Sequence, residues 1–292
     1  MIDLHTHSTA SDGSDPPETV VDLAAESACS AMALTDHDTF EGLGPARRRA
    51  KELGIDLVAG CEVSCVAPRS AVMHVLAYFV DTEESPLAEE LVHLRDDRRR
   101  RNLALAERLA TLGIPVTYEM AVERAGSEAG VGRPHFAAAM VAMGAADSME
   151  DAFDRVLGND RPGYIPKARL SGSEVASLIT GSGGVAVLAH PYSLGFEGSR
   201  LAEAVGELKE SGFGGIETTY GRYSMRQRQQ LNNLAKRFDL VATGGSDYHG
   251  ESTPDLAVGT GTGDLKVADR VLTDLEARCP HHRGGGSAMV MK

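Results

Sequence analysis

A chain of 292 residues can hold one large domain or one domain plus an insertion, and 42% hydrophobic with 24% charged residues is the balance of a soluble globular protein with a sizeable core. The formal charge of −13 and a pI near 5.2 exclude a broad basic track for duplex nucleic acid, while leaving room for a local basic pocket. No run approaches the roughly 18–20 apolar residues of a membrane span, the first residues already read as a strand with no room for a signal peptide, and the four cysteines form no C-x-x-C pair, so a reduced, cytoplasmic protein is expected.

Ile2-Asp3-Leu4 reads as a short strand that delivers His5-Thr6-His7. In an extended chain positions i and i+2 project to one face, so both imidazoles can reach one ion. After the Asp12-Gly13 turn, Pro16-Pro17-Glu18 opens a helix, since proline is tolerated in a first turn and an acid there suits the helix dipole. Ala31 to Leu34 is a second strand ending in Thr35-Asp36-His37-Asp38. A helix is expected from about Phe40 to Leu53, stopped by Gly54. A third strand from Ile55 to Ala59 delivers Gly60-Cys61-Glu62, and a fourth from Val72 to Phe79 carries His74 inside it.

The pattern changes at Pro86, where one long helix runs to about Leu112 and further helices are expected at Tyr118–Arg124, Arg133–Met143 and Met149–Leu157. This strandless stretch, 81–165, is expected to be a helical insertion that caps the substrate, between barrel segments 1–80 and 166–278. The alternation then resumes, with a helix at Ser171–Ser182, a strand at Val185–Ala189 ending in His190-Pro191, and a helix at Leu201–Ser211. A short strand at Gly215–Glu217, a helix at Met225–Phe238 and a strand at Leu240–Ala242 follow, the last delivering Gly244-Gly245-Ser246-Asp247-Tyr248-His249. Residues 279–292, with His281-His282 and three glycines, read as a disordered tail without a functional role.

Alternating strands and helices favour a mainly parallel sheet. Polar strand ends in both halves favour a closed barrel over an open doubly wound sheet. Those ends collect His5, His7, Asp12, His37, Glu62, His74, His190, Asp247 and His249. Six histidines and three carboxylates are too many for one ion, and this donor set suits zinc, manganese or iron. A carboxylate can bridge two ions held about 3.5–4 Å apart. Taken alone, His74 in an apolar strand is more often a satisfied core residue than a ligand. It is the repetition that favours metal, because buried acids and imidazoles without partners are costly. His93 and the Arg98-Arg99-Arg100-Arg101 run, balanced by Asp96 and Asp97, read as solvated helix face.

H-T-H followed by S-D-G, then T-D-H-D, G-C-E, the His74 strand, A-H-P and S-D-Y-H resemble the successive motifs of the PHP (polymerase and histidinol phosphatase) family, over roughly residues 1–80 and 165–260. The resemblance implies a distorted (β/α)7 TIM-like barrel, interrupted by the insertion, with two or three divalent ions at its C-terminal mouth. Manganese stands first, with zinc, iron and magnesium as options. It implies that His5, His7, Glu62 and Asp247 hold one ion, that Glu62 bridges to a second held by His74 and His190, and that Asp12, His37 and His249 form a third site. A metal-bound water held by Glu62, His190 and Asp247 is the expected nucleophile, with Asp36 and Asp38 orienting imidazoles. The insertion resembles a subgroup that removes phosphate from nucleotides, 3′,5′-bisphosphonucleosides among them, or trims short RNA from its 5′ end. Arg133, His135, Tyr164 and Lys167 stand where that subgroup keeps phosphate contacts, and a guanidinium fork suits phosphate. The expected partner is therefore a small phosphorylated substrate, without membrane or duplex. Rival readings are a histidinol-phosphate phosphatase, an amidohydrolase, for which no strand-end lysine is present, and a non-catalytic, metal-stabilised PHP interaction module.

Overall fold

In a computed structural model of the chain, residues 1–67, 72–126, 128, 130–166 and 170–280 are described. The chain divides into two compact units, Met1–Leu91 with Arg169–Lys292, and Val92–Ala168.

The first unit is built on strands β1 (Ile2–Asp3), β2 (Ala31–Leu34), β3 (Asp56–Val66), β4 (Val72–Tyr78), β5 (Val185–Leu188), β6 (Gly215–Tyr220) and β7 (Val241–Gly245), hydrogen-bonded in chain order. The ends of the sheet come back together. Leu4 N–H donates to the Gly244 carbonyl at 3.3 Å and Asp247 N–H to the His5 carbonyl at 2.8 Å, leaving a nearly closed barrel. This is the TIM-like architecture expected, with one departure. β4 runs antiparallel to both β3 and β5, while the remaining pairs are parallel. The reason is connection length: β3 ends at Val66 and β4 begins at Val72, and a parallel crossover needs a dozen residues or more. The hairpin also explains why β3 outruns the expected Ile55–Ala59, since it stays paired with β4 as far as Val66↔Val72.

Strand alternation sorts the side chains into two layers. Ala31 and Ala33 of β2 join Ile2, Leu4, Leu76, Tyr78, Val185 and Val187 in one buried cluster. Met32 and Leu34 instead pack against Val20, Val21 and Ala24 of helix α1 (Pro17–Glu26) and Ala46 and Ala50 of α2 (Leu43–Leu53), which starts later than Phe40 and ends at the left-handed Gly54 as expected. Each fully buried Leu or Ile contributes about 1.5–3 kcal/mol to such a layer.

The helical stretch comprises α3 (Pro86–Thr111), α4 (Tyr118–Ala125), α5 (Arg133–Ala142) and α6 (Met149–Ala152), with no strand among its described residues. A π-helical turn, Phe153–Leu157, continues α6. Thr117 and Ser148 cap α4 and α6 through their hydroxyls, each satisfying an otherwise orphaned backbone N–H. The core of this unit is built from apolar side chains, Leu105, Leu109, Phe136, Met140 and Leu157 among them, with the buried Asn102 side chain donating to the Val131 carbonyl at 3.0 Å. Helices α7 (Gly172–Gly181), α8 (Gly198–Glu210), α9 (Met225–Arg237) and α10 (Arg270–Glu276) complete the first unit. α10 was not foreseen; Val271 and Leu275 place it against the barrel cluster that holds Ile2. No described helix is long and apolar enough to cross a membrane.

Candidate metal centre

The segments leaving β1, β2, β5 and β7, together with β3 and β4, bring the nine predicted donors to one place. His5 and His7 are fully buried. Their segment is tied down by Asp3, whose buried carboxylate accepts the backbone N–H groups of His5 (3.2 Å), Ser246 (2.9 Å) and Gly259 (2.7 Å). Burial pushes the Asp3 carboxyl up, against the pull of those hydrogen bonds. Asp38, His190 and Asp247 follow their strands at φ of 54°, 23° and 56°. Non-glycine residues held there cost on the order of 1–3 kcal/mol each, and such strain collects at functional sites.

Glu62 sits at the centre. Oε2 faces His5 Nε2 (3.3 Å), His7 Nε2 (3.2 Å) and His37 Nδ1 (3.3 Å), while Oε1 faces His74 Nδ1 (3.0 Å) and His190 Nε2 (2.9 Å). Glu62 lies inside β3 rather than at a strand end, and His74 is the third residue of β4. The antiparallel register reconciles them: His74 pairs with Ser64, diagonal to Glu62, so a residue near the start of β4 reaches the same rim.

Two more carboxylates flank this centre. Asp247 Oδ1 lies 3.2 Å from His5 Nε2 and 3.4 Å from His7 Nε2. Asp12 lies 3.7 Å from His7 Nδ1, 3.6 Å from His37 Nε2 and 3.3 Å from His249 Nε2. Donor atoms gather into three groups able to hold a cation: His5, His7, Glu62 and Asp247; His37, Glu62 and His74; and His7, Asp12, His37 and His249. His7 and His37 each belong to two of them, and a neutral imidazole has one free lone pair to give.

The chemistry of the set fits divalent ions. The buried nitrogens His7 Nδ1, His37 Nδ1 and His74 Nδ1 have no aligned hydrogen-bond partner, although carboxylate oxygens lie within 3.7 Å. His5 Nδ1 lies 3.1 Å from Glu217 Oε1, and His249 Nδ1 lies 2.9 Å from the Asp247 carbonyl oxygen. Those acceptors assign the proton of each ring to Nδ1 and leave a lone pair on Nε2. The lone pair of His5 then points at Glu62, at Asp247 and at His7 Nε2, 3.1 Å away. Only a proton or a cation between these groups makes the arrangement attractive. Protons alone would have to charge the rings: burial opposes charge on His7, yet Asp247 and Glu62 hold it up at about 10. Burial likewise opposes charge on Glu62, but His37, His5 and His74 bring its carboxyl well below the usual range. His37 goes the other way, lowered to about 4 by burial.

Around the donors lies a supporting layer that the sequence did not disclose. Glu217 is fully buried. Besides His5 Nδ1, its carboxylate accepts the backbone N–H of His190 at 2.7 Å, holding that residue in its strained conformation. Tyr220 OH donates to Asp247 Oδ2 at 2.8 Å, which turns Oδ1 towards the histidines. Groups of this kind fix the tautomer and angle of ligands. Glu217 was visible only as part of a short strand, and nothing local marked it. Asp36 does not orient imidazoles, because its carboxylate accepts Ser8 N–H (2.8 Å), Ser8 OH (2.8 Å) and Ser11 OH (2.7 Å) and braces the loop before Asp12. Asp38 accepts Ser64 N–H at 2.9 Å, securing β3 beside Glu62. No cysteine enters any of the three groups.

Arg133, His135 and Tyr164 lie in the helical unit; Lys167 falls outside the described residues, as do His281 and His282. The Arg133 guanidinium donates to the Leu157 carbonyl at 2.9 Å and to Asn159 Oδ1 at 3.2 Å, and stands 5.4 Å from the Tyr164 ring centre and 5.8 Å from that of Phe153. The π-helical turn thus clamps one end of the fork. His135 Nδ1 accepts the Gly132 N–H at 3.1 Å, capping α5. In the arginine run of α3, Arg99, 3.7 Å from Glu128, and Arg100, paired with Asp97, are exposed, while Arg98 and Arg101 are half-buried.

The family model of the PHP domain matches residues 3–112. The 3′,5′-nucleoside bisphosphate phosphatase of Chromobacterium violaceum is 34% identical over 278 residues, 95% of this chain and 97% of that protein. The 5′-3′ exoribonuclease Rnm of Escherichia coli is 34% identical over 251 residues, 85% of each chain. A solved structure described as a metal-dependent phosphoesterase from Bifidobacterium adolescentis superposes with a TM-score of 0.76 at 30% identity, covering 97% of this chain and 98% of the other.

Proposed function

The chain belongs to the PHP family of metal-dependent phosphoesterases, and on that premise we propose that it hydrolyses a phosphomonoester of a nucleotide, a 3′,5′-bisphosphonucleoside or AMP, or trims short RNA from its 5′ end. The observation that carries the chemistry is Glu62, a fully buried carboxylate with three imidazoles on one oxygen and two on the other. That is the arrangement a bridging ligand between two cations requires.

His5, His7, Glu62 and Asp247 would hold one ion, Glu62 with His74 and His190 a second, and Asp12, His37 and His249 a third. His37 also lies 3.3 Å from Glu62 and could join the second group instead. Divalent ions bound there supply Lewis-acid charge for phosphoryl oxygens and lower the pKa of water towards neutrality, with manganese the first choice. The chain's own residues supply orientation. Glu217 keeps His5 protonated at Nδ1 and free at Nε2, and Tyr220 keeps Asp247 Oδ1 turned inward. His249, bonded through Nδ1 to a carbonyl, presents Nε2 towards Asp12. Within the helical unit, Arg133 offers the donors left over from Leu157 and Asn159 to phosphate oxygens, and Tyr164 supports its plane. His135, committed to the Gly132 N–H, serves α5 first.

The test is a manganese-supplemented assay of 3′,5′-bisphosphoadenosine, AMP and a short 5′-phosphorylated RNA, with histidinol phosphate alongside. Phosphate release from one of the first two, or mononucleotide release from the RNA, above phosphate release from histidinol phosphate, is expected. Inactivity on all three overturns the nucleotide assignment.

A further inference from the structure

Beside the donor cluster lies a row of aromatic rings whose outer members, Tyr223 and Tyr192, have no part in the steps above. It starts at His190 and continues through Tyr220 (ring centres 5.8 Å apart), Tyr223 (4.7 Å) and Tyr192 (5.2 Å). All three tyrosines are half-buried, unlike Tyr78 of the barrel core, which is fully hidden. Their hydroxyls are already engaged by the protein: Tyr220 with Asp247 at 2.8 Å, Tyr223 accepting the Tyr192 N–H at 3.0 Å, and Tyr192 donating to Gln230 at 2.8 Å. The rings are therefore held in place by their polar ends. Neighbouring rings meet at 71° and 82°, edge against face, and at a tilt of 54° between Tyr220 and Tyr223, so none is stacked flat on the next. Ring surface pinned in this way and still reachable by solvent suits a flat, uncharged partner.

We propose that Tyr192 and Tyr223 form a stacking subsite for the nucleobase of the substrate, resting on the assignment of a nucleotide phosphoester to this site. A base joined to its phosphate through one sugar reaches a short distance from the cluster, and the row begins at Tyr220, in contact with Asp247. Stacking on tyrosine requires no particular edge of the base, so the subsite distinguishes nucleotides from base-free sugar phosphates more sharply than one base from another.

The experiment compares kcat/KM for AMP and for ribose 5-phosphate in the manganese-loaded enzyme, for the native chain and for Tyr192→Leu, Tyr223→Leu and Tyr192→Phe. The native enzyme should favour AMP, the leucine variants should cut that preference about tenfold each, chiefly through KM, and the phenylalanine variant should keep it, since it retains the ring. A preference equal in all four proteins overturns the subsite, as does an equal loss in the Phe and Leu variants. A native enzyme that treats the two substrates alike also overturns it, while leaving the phosphoesterase intact. A second readout separates this idea from the nucleotide assignment. The chain has no tryptophan, so AMP binding to metal-stripped protein can be followed by quenching of tyrosine emission. If no nucleotide is hydrolysed, quenching that weakens in both leucine variants still supports the subsite, and its absence in the native chain rejects it.

Discussion

Glu62 in the barrel and Phe136 in the helical unit are equally hidden from solvent, at 1% and 0% exposure, but their surroundings do opposite things. Phe136 lies among Leu105, Leu109, Met140 and Leu157, where every neighbour gains by excluding water. Glu62 lies among five imidazoles, beside which Asp12 and Asp247 add further charge, and water was removed from all of them at a cost. One core is stable by packing alone. The other pairs groups whose lone pairs face one another, and it becomes favourable when cations or protons enter. A polar centre of this kind is built for binding, and the apolar layers around it must supply the stability it does not.

That contrast is tested most severely by Phe136→Ala, expected to cost the helical unit about 3–5 kcal/mol in thermal or denaturant unfolding while leaving the number of bound metal ions unchanged. A parallel loss of metal would show that the two regions are not independent. Glu62→Gln is the converse. It keeps the shape and removes the charge, and metal content and turnover should fall together by more than the roughly 100-fold upper end found for groups that merely orient ligands. Full metal loading of that variant would refute the bridging role.

Glu217→Gln should act more mildly, because an amide can accept only one of the two hydrogen bonds to His5 and the His190 backbone. Metal affinity should fall about 10–100-fold, measured by competition with a chelator, with the helical unit unaffected. Affinity unchanged from the native chain would reduce Glu217 to a packing residue. The smallest effect is a pH trend. In protein stripped of metal, the raised pKa of His7 contributes stability that is complete below its ordinary value near 6.5 and is lost as pH rises through about 10. Metal binding must displace that proton, so the increase in melting temperature on adding manganese should grow between pH 7 and 10. A flat increase across that window would show that His7 carries no proton there.

Much of this protein was legible in its residues because the relevant signals are local. Ile2-Asp3-Leu4 before His5 and His7, the apolar run before His37, and the Gly-rich segment around Asp247 each announce a strand followed by a polar delivery. Repeated at matching places, they pointed to both the barrel and the donor set, and the helical periodicity after Pro86 marked the strandless stretch. What only the tertiary structure decided depends on partners distant in the chain. The antiparallel course of β4, which carries His74 to Glu62, follows from a connection too short to cross over. α10 is called into being by the barrel cluster it covers rather than by a strong pattern of its own. Glu217 looked like any acid in a strand until folding placed it 3.1 Å from a histidine 212 residues away, and Asp36 looked like an imidazole partner until Ser8 and Ser11 claimed it. Residue types limit which atoms can bind a cation; which lone pairs face which carboxylates is settled only when barrel closure brings β1 beside β7, because a buried donor's role is set by the neighbour that remains once water is gone.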